Sequence, residues 1–414
     1  MTNSKHLPKR RFKEFELDGE WEQLKLGDHA NILTGGTPNT SISSYWEPKE
    51  IPWMSSGEVN KRRLDKTDNM ISNDGIRNSS ARWVKKHSIL IALAGQGKTR
   101  GMVAVNNIPL TTNQSVAAIE PDKTLNYEFV FQNLSKRYDE LRLISSGDGS
   151  RGGLNKQIVS DISIACPNVN EQELIGNFLA DFDSLITMNQ HKLDKLKNLK
   201  KAYLSEMFPA EGERVPKRRL PGFEGEWSTK KLREITSLIT KGTTPLEKSG
   251  EGEVNFIKVE NLDASNGKIL SCSKISSEEH NGYLKRSQLN ENDILFSIAG
   301  TLGRIGIVES RILPANTNQA LAIIRNKRSN LRYLAIALKS GSITNFILSN
   351  PTIGAQPNLS LEQVGSLEIP FPSLDEQKQI GEFFHKLDQS ITLQQQKLDK
   401  LKDLKKAYLN ELFV

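Results

Sequence analysis

Most of the chain sets short apolar runs between glycine, proline and asparagine, but in two places the pattern changes to apolar positions stepping by four and three. The first stripe is Ile175, Leu179, Phe182, Ile186, Asn189, Leu193, Leu196, Lys200, Tyr203 and Met207. The second is Ile380, Phe384, Leu387, Ile391, Gln394, Leu398, Leu401, Lys405, Tyr408 and Leu412. That step keeps one side of an α-helix on a partner and is the spacing of a coiled-coil seam. It predicts two long helices. The first, Glu171 to Met207, has 37 residues and a length of about 55 Å at 1.5 Å per residue. Each stripe carries one amide at the matching place, Asn189 or Gln394, a polar layer that fixes register at some cost in stability. A single amphipathic helix packed on its own domain explains one stripe. Two of equal length and width are better buried against each other.

The helices belong to an internal repeat. KLDKLK (Lys192 to Lys197) and LKKAYL (Leu199 to Leu204) return 205 positions later as Lys397 to Lys402 and Leu404 to Leu409. Each copy opens with PKRR (Pro8 to Arg11; Pro216 to Arg219) and GEW (Gly19 to Trp21; Gly225 to Trp227), then reaches GGTP (Gly35 to Pro38) or KGTTP (Lys241 to Pro245). Short apolar runs in a β-rich region follow: Ile51 to Met54 with Val254 to Ile257, and SILIALAG (Ser88 to Gly95) with DILFSIAG (Asp293 to Gly300), the last two reading as buried strands halted by glycine. Asn113-Gln114 and Asn318-Gln319 keep the same offset. Short capped turns at Leu154 and Leu359 lead into the strands ISIACP (Ile162 to Pro167) and LEIPFP (Leu367 to Pro372). Asn170 with Glu173, and Ser373 with Glu376, then have the spacing of helix N-cap boxes. The expected partition is a first β-rich domain 1–167, a long helix 168–208, a linker 209–225, a second domain 226–372 and a second long helix 373–414. Helices that stayed alike suit the same kind of partner met twice; domains that diverged suit two different ones.

Two glycine-rich segments invite catalytic readings. AGQGKT (Ala94 to Thr99) follows an apolar strand as a nucleotide-binding P-loop would, yet Ala92 stands where that pattern requires its first glycine. The second copy, AGTLGRIG (Ala299 to Gly306), lacks the lysine and threonine altogether. A glycine turn presenting Lys98, Arg100 and Arg304 to a phosphate backbone accounts better for both, because glycine lets backbone N–H groups approach an anion. GDGSRGG (Gly147 to Gly153), aligned with TIGAQPN (Thr352 to Asn358), has no strand-to-helix placement of a dinucleotide site. No segment resembles an adenine-methyltransferase active site, and no Ser, His and Asp set recurs in both halves.

Composition adds little. Lys and Arg exceed Asp and Glu by 56 to 49, a formal charge of +7 that suits a polyanion without demanding one. Two unmatched cysteines, Cys166 and Cys272, and scattered histidines give neither a disulfide framework nor a zinc site. No apolar run approaches a membrane span, and the N-terminal MTNSKHLPKRR has no signal-peptide core. A reduced cytoplasmic protein is the expectation.

The order PKRR, GEW, GGTP, strand with Ala-Gly, Asn-Gln, strand ending in proline, then EQ-x-x-IG (Glu171, Gln172, Ile175, Gly176; Glu376, Gln377, Ile380, Gly381) and the KLDKLK helix, all performed twice, resembles the specificity subunits of type I restriction-modification systems. The resemblance implies an α+β fold: two tandem target-recognition domains, β-rich with peripheral helices, separated by two long helices in an antiparallel coiled coil. It implies that each domain reads one half of a bipartite, asymmetric site on double-stranded DNA, and that the helices dock two methyltransferase subunits which restriction subunits join. Chemistry then belongs to the partners: no cofactor in this chain, with S-adenosylmethionine, ATP and Mg expected in the other subunits. Expected DNA contacts are Ser55, Ser56, Lys98, Arg100, Arg151, Lys258, Asn261, Arg304 and Gln356. Expected coil and docking positions are Leu179, Ile186, Asn189, Leu193, Leu196, Tyr203, Phe384, Ile391, Gln394, Leu398, Leu401 and Tyr408. The copies depart from each other between PKRR and GEW (FKEFELD against LPGFE) and at AGQGKTRG against AGTLGRIG. The rivals are a tandem coiled-coil adaptor without DNA readout and an NTPase at Gly97 to Thr99.

Overall fold

The computed structural model describes residues 6–95, 99–144, 153–246, 251–264, 266–349 and 358–414. Its residues group into two compact units, Met1–Met188 with Leu398–Val414, and Asn189–Lys397. The cuts fall inside the long helices, whereas the sequence places the domain edges at 168, 209, 226 and 373. The difference has a packing cause: the end of each helix is built into the core of the other repeat's domain, as described below.

In the first unit, β1 (Glu22–Lys25) pairs antiparallel with β11 (Ser163–Cys166), Glu22 opposite Cys166, so the chain enters and leaves the domain side by side. A five-stranded sheet has the order β2 (Ala30–Thr34), β10 (Val116–Pro121), β7 (Ile89–Ala92), β8 (Val103–Asn106), β4 (Arg63–Leu64). A four-stranded sheet has the order β5 (Asn69–Ile71), β3 (Ile51–Met54), β9 (Leu110–Thr112), β6 (Trp83–Val84). Continuous apolar runs mark strands covered on both faces, and every residue of β7 is buried. Met54, Leu64, Val84, Leu90, Ala104, Leu110 and Val116 share one core. β3 and β9 are parallel, with Trp53 opposite Thr111.

The second unit repeats the plan, with fewer strands among the described residues. β12 (Ser228–Lys231) pairs with β20 (Glu368–Phe371). β13 (Thr236–Lys241), β19 (Leu321–Asn326), β16 (Ile294–Ser297) and β17 (Ile305–Ile307) form one sheet in that order. β15 (Ser273–Ile275), β14 (Val254–Ile257) and β18 (Ala315–Thr317) form the other, and β14–β18 is again parallel.

The long helices run Val169–Glu206 and Leu374–Leu412. The expected cap Asn170 lies inside the first helix. Asn168 caps instead, its Oδ1 accepting the Glu171 N–H at 3.0 Å, because Pro167 ends the strand and the chain turns into the helix at the next residue. Ser373 caps the second as its spacing predicts, Oγ accepting the Glu376 N–H at 3.3 Å. Neither Glu171 nor Glu376 completes a box, since both carboxylates are engaged by arginine. No helix among the described residues is long and apolar enough to cross a membrane.

Candidate nucleic-acid interface

The segments shared by the two repeats have two different kinds of neighbour. The first kind anchors the long helices. Arg11 forks onto Glu171 at 2.7 and 2.6 Å and also holds the Asp18 and Gly19 carbonyls. Arg219 forks onto Glu376 at 2.7 and 2.8 Å and holds the Gly225 carbonyl. These bidentate, charge-assisted pairs account for the paired PKRR signatures. Gln172 accepts the Asn126 N–H and donates to the Pro167 and Thr124 carbonyls; Gln377 accepts the Asn330 N–H and donates to Pro372. A Cβ on Gly176 or Gly381 would lie 2.9 Å from the backbone nitrogen of Phe129 or Tyr333, so only glycine lets the helix lie this close. The EQ-x-x-IG signature is thus a packing device with its polar groups consumed.

Within each unit the helices run antiparallel. In the first, Phe178 meets Tyr408 at 5.0 Å, Asp183 meets Lys405 at 2.5 Å, and Phe413 meets Phe129 at 5.0 Å. In the second, Tyr203 meets Phe383 at 5.0 Å, Lys200 meets Asp388 at 2.5 Å, and Phe208 meets Phe384 and Trp227. Both seam lysines therefore pair with an acid of the opposing helix. Burial pushes the Asp183 carboxyl up, but Lys405 and Arg62 outweigh it and hold it below its ordinary range. Leu179, Leu193, Phe384, Ile391 and Leu398 are buried, as are the amides Asn189 and Gln394; Ile186, Leu196, Leu401, Tyr203 and Tyr408 are half-buried.

The second kind of shared segment sits where the parallel strands end. The Gly36 N–H donates to the Thr112 carbonyl at 2.9 Å, and the Thr243 N–H to the Thr317 carbonyl at 2.9 Å, so the Gly-x-Thr-Pro turn rests on the last residue of β9 or β18. A Cβ on Gly35 or Gly242 would meet those same carbonyls at 1.9 or 2.0 Å. The next residues carry exposed polar pairs: Thr37 Oγ1 donates to Gln114 Oε1 at 2.6 Å, and Thr244 Oγ1 donates to Gln319 Oε1. The Asn113 N–H binds the Met54 carbonyl at 3.0 Å, which brings the turn after β3 alongside.

The expected contacts spread around this end. Ser55 caps the turn Ser56–Lys61, its N–H donating to Glu58 Oε1 at 3.2 Å, while Ser56 follows it half-buried. Lys258 and Asn261 flank the equivalent turn after β14; the Lys258 N–H donates to Asn261 Oδ1 at 2.8 Å, and Asn261 Nδ2 to the Ser271 carbonyl at 2.7 Å. The Arg304 guanidinium points at the Val259 and Leu262 carbonyls, 3.4 and 3.5 Å away, so it joins Lys258 and Asn261 but is partly spent on the fold. Arg100 donates to the Arg142 carbonyl at 2.7 Å. Lys98, Arg151 and Gln356 lie outside the described residues. The segment with Lys98 joins two antiparallel strands, β7 and β8, whereas a P-loop leads from a strand into a helix. The NTPase reading loses its structural context. Among the described residues no cluster of metal-ligating side chains occurs.

A family model for the type I restriction modification DNA specificity domain matches residues 18–198 and again 224–403. The chain belongs to this family. It is 23% identical to the specificity subunit of type I restriction enzyme MjaVIII of Methanocaldococcus jannaschii, covering 97% of this chain and 94% of that one. It is 24% identical to the EcoBI specificity subunit of Escherichia coli over 72% of this chain and 66% of that one. In fold it resembles the crystal structure of the S subunit from M. genitalium, with a TM-score of 0.62 at 16% identity over 98% of this chain and 99% of that one. A chain from a structure of type I restriction-modification complex assembly aligns with a TM-score of 0.53 at 16% identity over 94% of this chain and 96% of that one.

Thr37, Gln114, Thr244 and Gln319, which pair at this end of the two domains, are not among the contacts expected from sequence. Their signal was present in the recurrence of Gly-x-Thr-Pro (Gly35 to Pro38; Gly242 to Pro245) and of Asn-Gln in both repeats. What sequence could not supply was that two segments about 75 residues apart touch.

Proposed function

We propose that each of the two domains reads one half of a bipartite, asymmetric site on double-stranded DNA, and that the paired helices dock two methyltransferase subunits through which restriction subunits join. One observation carries this reading. The apparatus that fastens the helices, Arg11–Glu171 and Arg219–Glu376 with Gln172 and Gln377, is duplicated nearly unchanged, while the turns at the ends of the parallel strands differ, Ser55-Ser56 against Lys258-Val259. Equal helices suit two equal partners and unequal turns suit two unequal sequences. Bases are distinguished by side-chain geometry in the grooves, so two readers of different sequences must differ there. The chain itself acts by recognition, and S-adenosylmethionine, ATP and Mg belong to the partner subunits. The test replaces Gly19 to Pro167 with the corresponding domain of another family member and maps methylated sites in a host carrying the methyltransferase partner. One half-site changes and the other stays. A swap that changes both halves together overturns the reading.

A further inference from the structure

With the anchoring residues set aside, both domains still share the Gly-x-Thr-Pro turn (Gly35 to Pro38; Gly242 to Pro245) and the Asn-Gln that it touches. Around this pair the copies changed: Trp53 became Phe256, Ser55 became Lys258, and AGQGKTRG became AGTLGRIG. The pair did not. Thr37 and Thr244 each give their hydroxyl proton to the glutamine carbonyl oxygen, which leaves the Gln114 and Gln319 NH2 groups exposed and without a protein acceptor among the described residues. An exposed neutral hydrogen bond adds little to stability, so packing alone does not account for its presence twice. Gly35 and Gly242 seat the turn directly on the Thr112 and Thr317 carbonyls, which holds both glutamines in the same relation to the ends of β9 and β18. In the second domain a cation stands beside it: exposed Arg286 donates from Nε to Thr243 Oγ1 at 3.2 Å, and its terminal nitrogens have no partner among the described residues.

Two readers of different sequences need different base contacts, whereas the feature common to both half-sites is the sugar–phosphate backbone. We propose that Gln114 and Gln319 each donate an amide N–H to a phosphate oxygen of their own half-site, a sequence-independent grip that sets the position of each domain on the duplex, with Arg286 assisting in the second. This rests on the reading that the domains bind DNA.

The full chain with its methyltransferase partner is assayed as Gln114→Ala, Gln319→Ala, Gln114→Glu and Arg286→Ala, on the cognate target and on unrelated duplex at several salt concentrations. Each alanine variant weakens binding to both duplexes by the same factor, about tenfold for the loss of one hydrogen bond to a charged group. The slope of log affinity against log salt does not change, because a neutral amide releases no counterion, whereas Arg286→Ala lowers it by about one. Gln114→Glu keeps the acceptor for Thr37 and binds more weakly than Gln114→Ala through repulsion of the phosphate. Thermal unfolding reports whether the variants are folded, and the methylated sequence stays the same. Relaxed choice of base at one position makes the glutamine a base reader and overturns the proposal; unchanged affinity in folded variants makes the pair a surface staple and also overturns it. A parent complex that binds no DNA sinks the functional reading itself, an outcome distinct from either.

Discussion

Gln394 Nε2 donates to both oxygens of Asn189, the side-chain Oδ1 at 2.9 Å and the backbone carbonyl at 3.0 Å, in a layer from which water is nearly excluded. The two residues are repeat equivalents, so the duplicated polar positions of the seams have become each other's partners. Gln394→Leu removes a donor from a buried oxygen and is expected to cost about 1–3 kcal/mol. Changing both to leucine leaves no polar side chain to satisfy in the layer and restores most of that stability, at the expense of a unique register. Urea unfolding of the parent, both single variants and the double variant measures the coupling. A double variant as unstable as the worse single would contradict it.

Leu193 and Leu398 are 1% and 0% exposed. A glutamate at either place buries an unpaired carboxylate and is expected to destabilise by several kcal/mol, whereas Lys195→Glu or Lys400→Glu on the exposed face stays within about 0.5 kcal/mol. Thermal melts and recovery of the complex with the methyltransferase partner test this, and undiminished recovery of a folded Leu398→Glu complex would count against the seam.

Lys339 lines a cavity of about 660 Å³ in the second unit, with Ala335, Ile336, His385 and Asp388. Burial, reinforced by Lys200, pushes its ammonium pKa down to about 8 against the pull of Asp388 and Asp263. A lysine whose folded pKa lies below its unfolded value penalises the fold while charged, so this penalty is complete below pH 8 and disappears as pH rises toward about 10.5. Lys339→Met is expected to raise stability at neutral pH and to remove the gain across that window. Chemical denaturation of both proteins at several pH values decides, and parallel pH profiles would refute the assignment.

A chain ending at Phe208 contains its own substitute for everything that residues 398–414 supply to the first unit. Lys200, Tyr203, Glu206 and Phe208 are the repeat equivalents of Lys405, Tyr408, Glu411 and Phe413, which meet Asp183, Phe178, Arg10 and Phe129. Two such halves are expected to exchange helix ends and pair. The lost covalent link corresponds to an effective concentration of millimolar scale, so pairing depends on protein concentration. A twofold pair presents one reader twice, and its target becomes an interrupted palindrome. Sedimentation of residues 1–208 and sequencing of the sites it methylates with its partner test both halves of this statement; modification of the original asymmetric target would exclude it.

The long helices were legible because their period is sustained over many turns, and β7 and β16 because their apolar runs are continuous. The two-residue strands Arg63–Leu64 and Trp83–Val84 were not, since nothing so short has a period. Lys200 and Lys405 are charged positions in the two stripes whose partners, Asp388 and Asp183, come from the opposing helix, a relation that only the antiparallel pairing creates. Lys98, Arg100 and Arg304 stood out because they are charged next to glycine. Gln114 and Gln319 did not, because their partners, Thr37 and Thr244, are distant in sequence.

Leu412 and Phe413 sit in the same core as Trp21 and Phe129, and Lys136 Nζ holds the Phe413 carbonyl at 3.2 Å. Synthesis runs from the other end. The domain that leaves the ribosome first therefore waits with an open hydrophobic slot while the whole second repeat is made, and closes only when residue 413 emerges. Loss of Leu412 and Phe413 is then felt by the first domain, while the core of the second, which takes Met207 and Phe208 from the first long helix and Ile380 and Phe384 from the second, is built without them.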